Sequence, residues 1–187
     1  MAVKGDETRA RIIAAARTLV EAQGCHGTGL NEVLAMAGAP RGSLYHHFPG
    51  GKDQLVGEAL TAAGREVDTM IDELAGTLPR ARDLVPALLD ALADRMVAGG
   101  YAKGCPVATV ALEVASSNEH LRRICAGVYE GWQRRLADAL RTEGHESADD
   151  LAATVLAVIE GSLVLARAGR SRLPVERARR QVVRLLA

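Results

Sequence analysis

Thr28-Gly-Leu-Asn-Glu-Val-Leu-Ala-Met-Ala-Gly38-Ala-Pro40-Arg41-Gly42-Ser43-Leu44-Tyr45-His46-His47-Phe48-Pro-Gly-Gly-Lys52-Asp53 is the stretch that decides the fold. Two short helical runs meet at a turn that holds Gly38. The second run carries Arg41, Ser43, Tyr45 and His46 beside an apolar pair, Leu44 and Phe48, spaced i,i+4. This is the build of a helix-turn-helix, whose second helix enters the major groove of DNA. DNA binding is therefore the first function to test against the rest of the chain.

Outward from this stretch the pattern stays helical. Asp6 is placed to cap a first helix of roughly 17 residues, which Gly24 ends. Ile12, Ala16, Leu19 and Val20 share one face of it. Leu30, Val33 and Ala37 turn inward on the second helix, and Pro40 opens the third, where a missing N–H costs nothing. Ile12, Leu19, Val33, Leu44 and Phe48 are the expected core of this head. After Gly50-Gly51 a long helix runs from about Asp53 to Leu78 and stops at Pro79. Further helices are expected at about 83–98, 106–116, 118–142 and 147–168, and from Pro174 to the end. No strand alternation interrupts them, so the expected class is all-α: a three-helix head on a larger helical body.

Composition agrees. The chain has 187 residues, 48% hydrophobic but only 3% aromatic, so the core is mainly Ala, Leu and Val, which suits close helix packing. Net charge is zero but uneven. Residues 1–52 hold six basic against four acidic side chains, residues 53–164 ten against eighteen, and the tail from Leu165 seven arginines against Glu176. An acidic body repels DNA and leaves the mildly basic head to make the contact. Cys25, Cys105 and Cys125 lack metal-site spacing. No apolar or Arg-rich leader precedes Asp6, and no uninterrupted apolar run reaches 18 residues. These features predict a cytoplasmic protein with reduced thiols, no cofactor, no metal and no membrane contact.

In the head, Arg41 and Tyr45 form an exposed stripe beside the buried Leu44 and Phe48. Arg41 can reach a guanine edge or a phosphate, and Tyr45 and Ser43 offer hydroxyls to phosphate. Gly42 permits close backbone approach, and His46 lies toward the DNA side. Lys52 adds a cation at the start of the fourth helix. Thr28 either meets a phosphate or caps the second helix. With Pro40, the DNA-facing set is Thr28, Pro40, Arg41, Gly42, Ser43, Tyr45, His46 and Lys52. His46 and His47 do not suit a metal, because neighbours on a helix diverge by about 100°. His47 is expected against the core.

The stretch resembles the head of the TetR family of bacterial transcriptional regulators, Gly-x-Ser-x-Gly-x-Leu-Tyr-x-His-Phe followed by Lys. Here it stands as Gly38-Ala-Pro40-Arg41-Gly42-Ser43-Leu44-Tyr45-His46-His47-Phe48, with Lys52 after it. Pro40 replaces the usual Ser, removing a side-chain cap and a phosphate contact, and one extra residue precedes Lys52. Gly50-Gly51, Lys103-Gly-Cys-Pro-Val-Ala108 and Glu160-Gly-Ser-Leu-Val-Leu-Ala-Arg167 resemble the LmrA/YxaF-like branch. The resemblance implies a DNA-binding domain over 1–52 and a ligand-binding and dimerisation domain over 53–187. It further implies a homodimer through the last two helices, and a repressor released from a palindromic double-stranded operator by a small-molecule effector. An activator or co-repressor-type regulator of the same fold is the alternative.

The body residues point the same way. From Leu151 to Leu165 the chain is apolar almost all round, interrupted by Thr154, Glu160, Gly161 and Ser162, so it is expected to be buried on more than one side. A second subunit is the simplest cover, and two heads about 34 Å apart suit a palindrome. Glu160, among Leu156, Ala157, Leu163 and Val164, needs a partner: an arginine such as Arg167 across a dimer, or a ligand. Met70, Met96, Tyr101, Cys105, Tyr129 and Trp132 either line a pocket or are plain core. Glu113 is expected to be merely solvated. A remote rival is a small all-α enzyme with Cys105 as nucleophile and His120 or Glu113 as base. No Gly-rich phosphate loop or metal cluster supports it.

Overall fold

The computed structural model describes residues 2–187, with side chains from Gly5 onward. Nine helices and no strand occur among them: α1 (Ala2–Gly27), α2 (Leu30–Ala37), α3 (Gly42–His47), α4 (Gly51–Thr77), α5 (Ala81–Ala98), α6 (Pro106–Val114), α7 (Glu119–Thr142), α8 (Ala148–Gly169) and α9 (Leu173–Leu185). The chain is all-α, and its breakers fall where the glycines and prolines lie. Gly38 follows α2 in the left-handed region (φ 58°). Its N–H reaches the Ala35 and Leu34 carbonyls, and the Ala39 N–H donates to the Leu34 carbonyl at 3.0 Å. This is a Schellman-type stop, and Gly adopts it without Cβ strain.

Three local expectations are corrected. Asp6 does not cap the first helix, which already runs from Ala2, since nothing in Ala2–Lys4 breaks it. Pro40 precedes α3 instead of opening it: its carbonyl accepts the Ser43 N–H at 2.9 Å, and Arg41 takes the N-cap position. Thr28 does not cap α2, because Gly29 holds that place. The break at Gly24 is real although helical turns continue to Gly27. Gly24 has φ 75° and ψ −177°, so the regular part of α1 ends there.

The chain divides into two compact units, residues 1–65 with 106–128 and residues 66–105 with 129–187. The first unit buries Ile12, Ala16, Leu19, Val33, Leu44 and Phe48 with Leu55 and Ala59 of α4, and Leu30 packs at the margin. Phe48 is fully buried; a side chain of that size contributes roughly 1.5–3 kcal/mol by leaving water. α6, far along the chain, also belongs to this unit and lies along α1.

In the second unit α5 packs on α8 and α9. Leu84, Leu88, Leu89, Val155, Ile159, Val175 and Val182 are buried there. Arg172 pairs with Asp90 (3.1 Å) and with Asp94, and Arg179 pairs with Asp90 (3.0 Å). Part of the basic tail thus neutralises the acidic α5. One side of α8 stays open in the single chain. Ala153, Thr154, Ala157, Gly161, Val164, Leu165 and Ala168 are exposed along it. Val164 and Leu165 are 54% and 63% exposed.

Candidate nucleic-acid interface

Leu44 and Phe48 bury against the head core and so fix which side of α3 faces out. Arg41, Gly42, Tyr45 and His46 are exposed, Tyr45 by 67%, and Pro40 is exposed beside them; Ser43 is half-buried. His47 is half-buried, its ring edge-on to those of His46 (4.8 Å) and Phe48 (6.3 Å). The stripe anticipated from i,i+4 spacing is therefore present as a single polar surface of hydroxyl, imidazole and guanidinium groups above an apolar floor.

The corner between α3 and α4 is held from α1. The Arg9 guanidinium lies 5.3 Å from the Phe48 ring centroid and pairs with Glu58. Gln54 donates to Glu58 at 3.0 Å, and its own Oε1 accepts the Gly50 N–H at 2.9 Å. The Gly51 N–H closes the turn on the Phe48 carbonyl at 2.9 Å, with Gly51 at φ 67°. These bonds accommodate the additional residue before Lys52, which sits half-buried in the first turn of α4. Arg9, Gln54 and Glu58 had no signal in sequence, because each is an ordinary polar residue until the corner forms.

Two more residues have jobs the sequence did not reveal. Thr28 is 2% exposed, and its hydroxyl donates to the Gly24 carbonyl at 2.6 Å, so it braces the joint between α1 and α2 from inside. Glu113 of α6 is not merely solvated. Its Oε2 accepts the Cys25 N–H at 2.6 Å and the His26 N–H at 3.3 Å, just past the break at Gly24. A carboxylate meeting two amide N–H groups makes charge-assisted bonds, stronger than neutral ones. Burial pushes the Cys25 thiol above its ordinary value, with Lys52 opposing and Glu113 reinforcing the rise. Burial also raises Cys125, to about 11. Both thiols are buried, and the upward shifts disfavour the thiolate form at neutral pH.

All seven residues considered for ligand contact fall in the second unit. Trp132 and Met96 are buried at 4% and 6%, and Trp132 meets Tyr129 edge-on at 5.5 Å. Met70, Tyr101, Cys105 and Glu160 are half-buried. The two sequence runs that mark the branch come together here. The Cys105 thiol hydrogen-bonds to the Glu160 carboxyl, and Arg167, two turns along α8, donates to the Ala102 carbonyl at 3.0 Å. A Cβ at Gly104 would lie 2.8 Å from the Arg167 Nη1, so the guanidinium rests directly on the glycine. Burial holds Glu160 above the usual carboxylate range, with the Cys105 bond pulling it back, and its Oε2 is buried without a hydrogen-bond partner among the described residues. No group of three or more His, Cys, Asp or Glu among the described residues could hold a metal.

Comparison with known proteins gives the same reading. Residues 12–59 match the family described as bacterial regulatory proteins, tetR family, and residues 81–181 match the C-terminal domain of LmrA/YxaF-like transcriptional regulators. The uncharacterized HTH-type transcriptional regulator Rv0196 of Mycobacterium tuberculosis is 35% identical, over 95% of this chain and 93% of its own. The HTH-type transcriptional regulator LmrA of Bacillus subtilis is 34% identical, over 90% of this chain and 91% of its own. The regulatory protein TetR from Rhodobacter sphaeroides shares the fold with a TM-score of 0.87 at 23% identity, over 95% of this chain and 98% of that one. With matches spanning head and body, the chain belongs to the TetR family of helix-turn-helix transcriptional regulators, in the LmrA/YxaF-like branch.

Proposed function

We propose that this regulator is a repressor that binds a palindromic operator as a homodimer and leaves it when a small molecule occupies the body. The observation that carries the reading is the outward stripe of α3. Arg41, Tyr45 and His46 are exposed over a floor of Leu44 and Phe48, with Gly42 leaving the backbone open to close approach. Arg41 is the base-reading candidate, through a guanine edge. Ser43, Tyr45 and Lys52 serve phosphates, and Pro40 stiffens the entry to α3. Thr28 acts from behind as a brace. Residues 1–52 carry the reading surface; residues 53–187 carry sensing and pairing.

Pairing through α8 and α9 is supported by the open side of α8. By length and composition this helix could cross a membrane, with a mean hydropathy of 1.7. Its other side, however, packs on α5 and α9 within the unit, and Glu160 interrupts it. Small residues at Ala153, Ala157 and Gly161 allow a second copy of α8 to approach closely, and Val164 and Leu165 supply apolar area. A twofold pair matches the symmetry that a helix-turn-helix meets on DNA. The dimer would act in the cytoplasm, with the DNA.

For effector release, the small molecule must bind the DNA-incompetent arrangement more tightly than the competent one, and the shift equals that difference in affinity. Glu160 with its unpartnered oxygen, Cys105, Tyr101, Met70, Met96, Tyr129 and Trp132 are the candidate contacts. The test is selection of duplexes from a random library by the purified protein, followed by titration of the winning sequence with and without a metabolite panel. Recovery of an inverted repeat, bound by a dimer and released by a panel member, supports the proposal. Failure to enrich any sequence at low salt overturns it.

A further inference from the structure

The head's geometry depends on a residue that the head does not contain. α1 breaks at Gly24, and the two N–H groups immediately after the break, those of Cys25 and His26, both converge on Glu113 of α6. Two observations make this more than a chance surface contact. First, Gly24 leaves just enough room: a Cβ there would collide with the Glu113 carboxylate, and the position has φ 75°, a conformation L side chains rarely adopt. Second, the same glycine's carbonyl is taken by the buried Thr28 hydroxyl at 2.6 Å, one residue before the N-cap of α2. The joint is pinned on both sides, by the Glu113 carboxylate from α6, which takes both freed amides, and by Thr28 from within.

We propose that Glu113 is a positioning residue for DNA reading: by gripping Cys25 and His26 it sets the bend at Gly24, and so the direction in which α2 and α3 leave α1. The inference rests on the DNA-binding role of the α3 stripe. It assigns part of that role to α6, which lies outside residues 1–52. A helix-turn-helix pair reads two half-sites at a fixed spacing, so a small change in the aim of each head alters which spacing fits. Phosphate attraction, by contrast, needs only nearby cations and does not require that aim.

The experiment compares Glu113→Ala, Glu113→Gln, Gly24→Ala and the Gly24→Ala/Glu113→Ala double variant with the native protein. Hydrogen exchange of the Cys25 and His26 amides is read first, without DNA. Both should be protected in the native protein and exchange at least tenfold faster in Glu113→Ala, with Glu113→Gln restoring most of the protection because its amide carbonyl still accepts. Next, a duplex selected from random sequence by the native protein is titrated, together with versions whose centre is lengthened or shortened by one base pair. Glu113→Ala should lose about tenfold or more on the selected duplex and prefer its spacing less sharply, while keeping native affinity for random-sequence duplex. Glu113→Gln should return to within a few-fold of native. Gly24→Ala should reproduce the Glu113→Ala phenotype, and the double variant should be no worse than either. Unchanged amide exchange in Glu113→Ala overturns the proposal, as does an unchanged spacing preference on the selected duplex. If Glu113→Ala does not fold, the native-like exchange and affinity expected of Glu113→Gln decide the matter, and their loss also overturns it. A native protein that selects no duplex would count against the DNA-binding reading alone, since amide exchange tests the grip by itself.

Discussion

At the scale of single residues, the clearest division is between side chains whose role follows from local spacing and those whose role needs a distant partner. Leu44, Phe48, Arg41 and Tyr45 belong to the first kind: i,i+4 spacing on a short helix sorts them into buried and exposed without reference to anything else. Replacing Arg41 with Ala should weaken operator binding by about 1–3 kcal/mol and relax preference at one base position, as read by titration against point-substituted duplexes. Lys52→Ala should instead weaken all sequences alike and lower the slope of affinity against salt by about one ion. Glu113 and Glu58 belong to the second kind. Glu113 and Cys25 are 88 positions apart, so no periodicity links them, and an acid on a helix edge reads as solvated until the fold supplies the amides. Glu160 lies between the two kinds. Its apolar neighbours in sequence announced a costly carboxylate, but its thiol partner and unpartnered oxygen emerged only from the fold. Its folded-state value lies above the unfolded one, so the folded chain binds more protons near and above the ordinary carboxylate value, and stability falls as pH rises through that window. Glu160→Gln removes this dependence. It should be more stable than the native protein at pH 7 and indistinguishable from it near pH 4, as followed by denaturant unfolding at both pH values.

Among the elements, helix identity was legible throughout, because the glycines, prolines and apolar stripes set it locally. What the sequence misplaced were the ends. Asp6 looked like a cap because its residue type favours that position, yet a start at Ala2 was equally open to the chain. Two glycines near α3 allow a sharp contrast. Gly38 adopts φ 58° with open space where a Cβ would stand, so Gly38→Ala meets backbone strain and no clash; it should cost roughly 1 kcal/mol or more and lower the melting temperature. Gly42 is the first residue of α3, and a Cβ there also meets nothing within 4 Å, without any unusual φ. Gly42→Ala should therefore leave the melting temperature unchanged or slightly raised, by up to about 1 kcal/mol of stability. It should nonetheless reduce operator affinity if the backbone approaches a phosphate there. Calorimetry and titration on the same two variants separate folding from reading.

On the scale of the whole molecule, the sequence's charge bookkeeping acquires a cause. Two arginines of the basic tail, Arg172 and Arg179, are engaged with Asp90 and Asp94 on α5, which ties α9 to the body. The organisation of the chain was less legible. A break in composition at Gly50-Gly51 suggested a head that ends there, whereas the compact unit containing the head also takes in α6 and the start of α7. Such long-range membership leaves no local trace. The proposed pairing surface gives the strongest test at this level. Gly161→Arg places a long cation in the middle of the open side of α8, where an added Cβ meets no packed neighbour within 4 Å among the described residues. It should leave a folded protomer that sediments as a single chain and binds the selected inverted repeat at least a hundredfold more weakly, since one head cannot engage both half-sites. That same strip of small and branched side chains also has a meaning for the chain's life before it meets DNA. A freshly synthesised copy without a mate carries an adhesive flank into a crowded cell. If two copies pair through it as proposed, assembly must outrun capture by chaperones and proteases, and the working abundance of this regulator is then bounded from below by how tightly the copies hold each other.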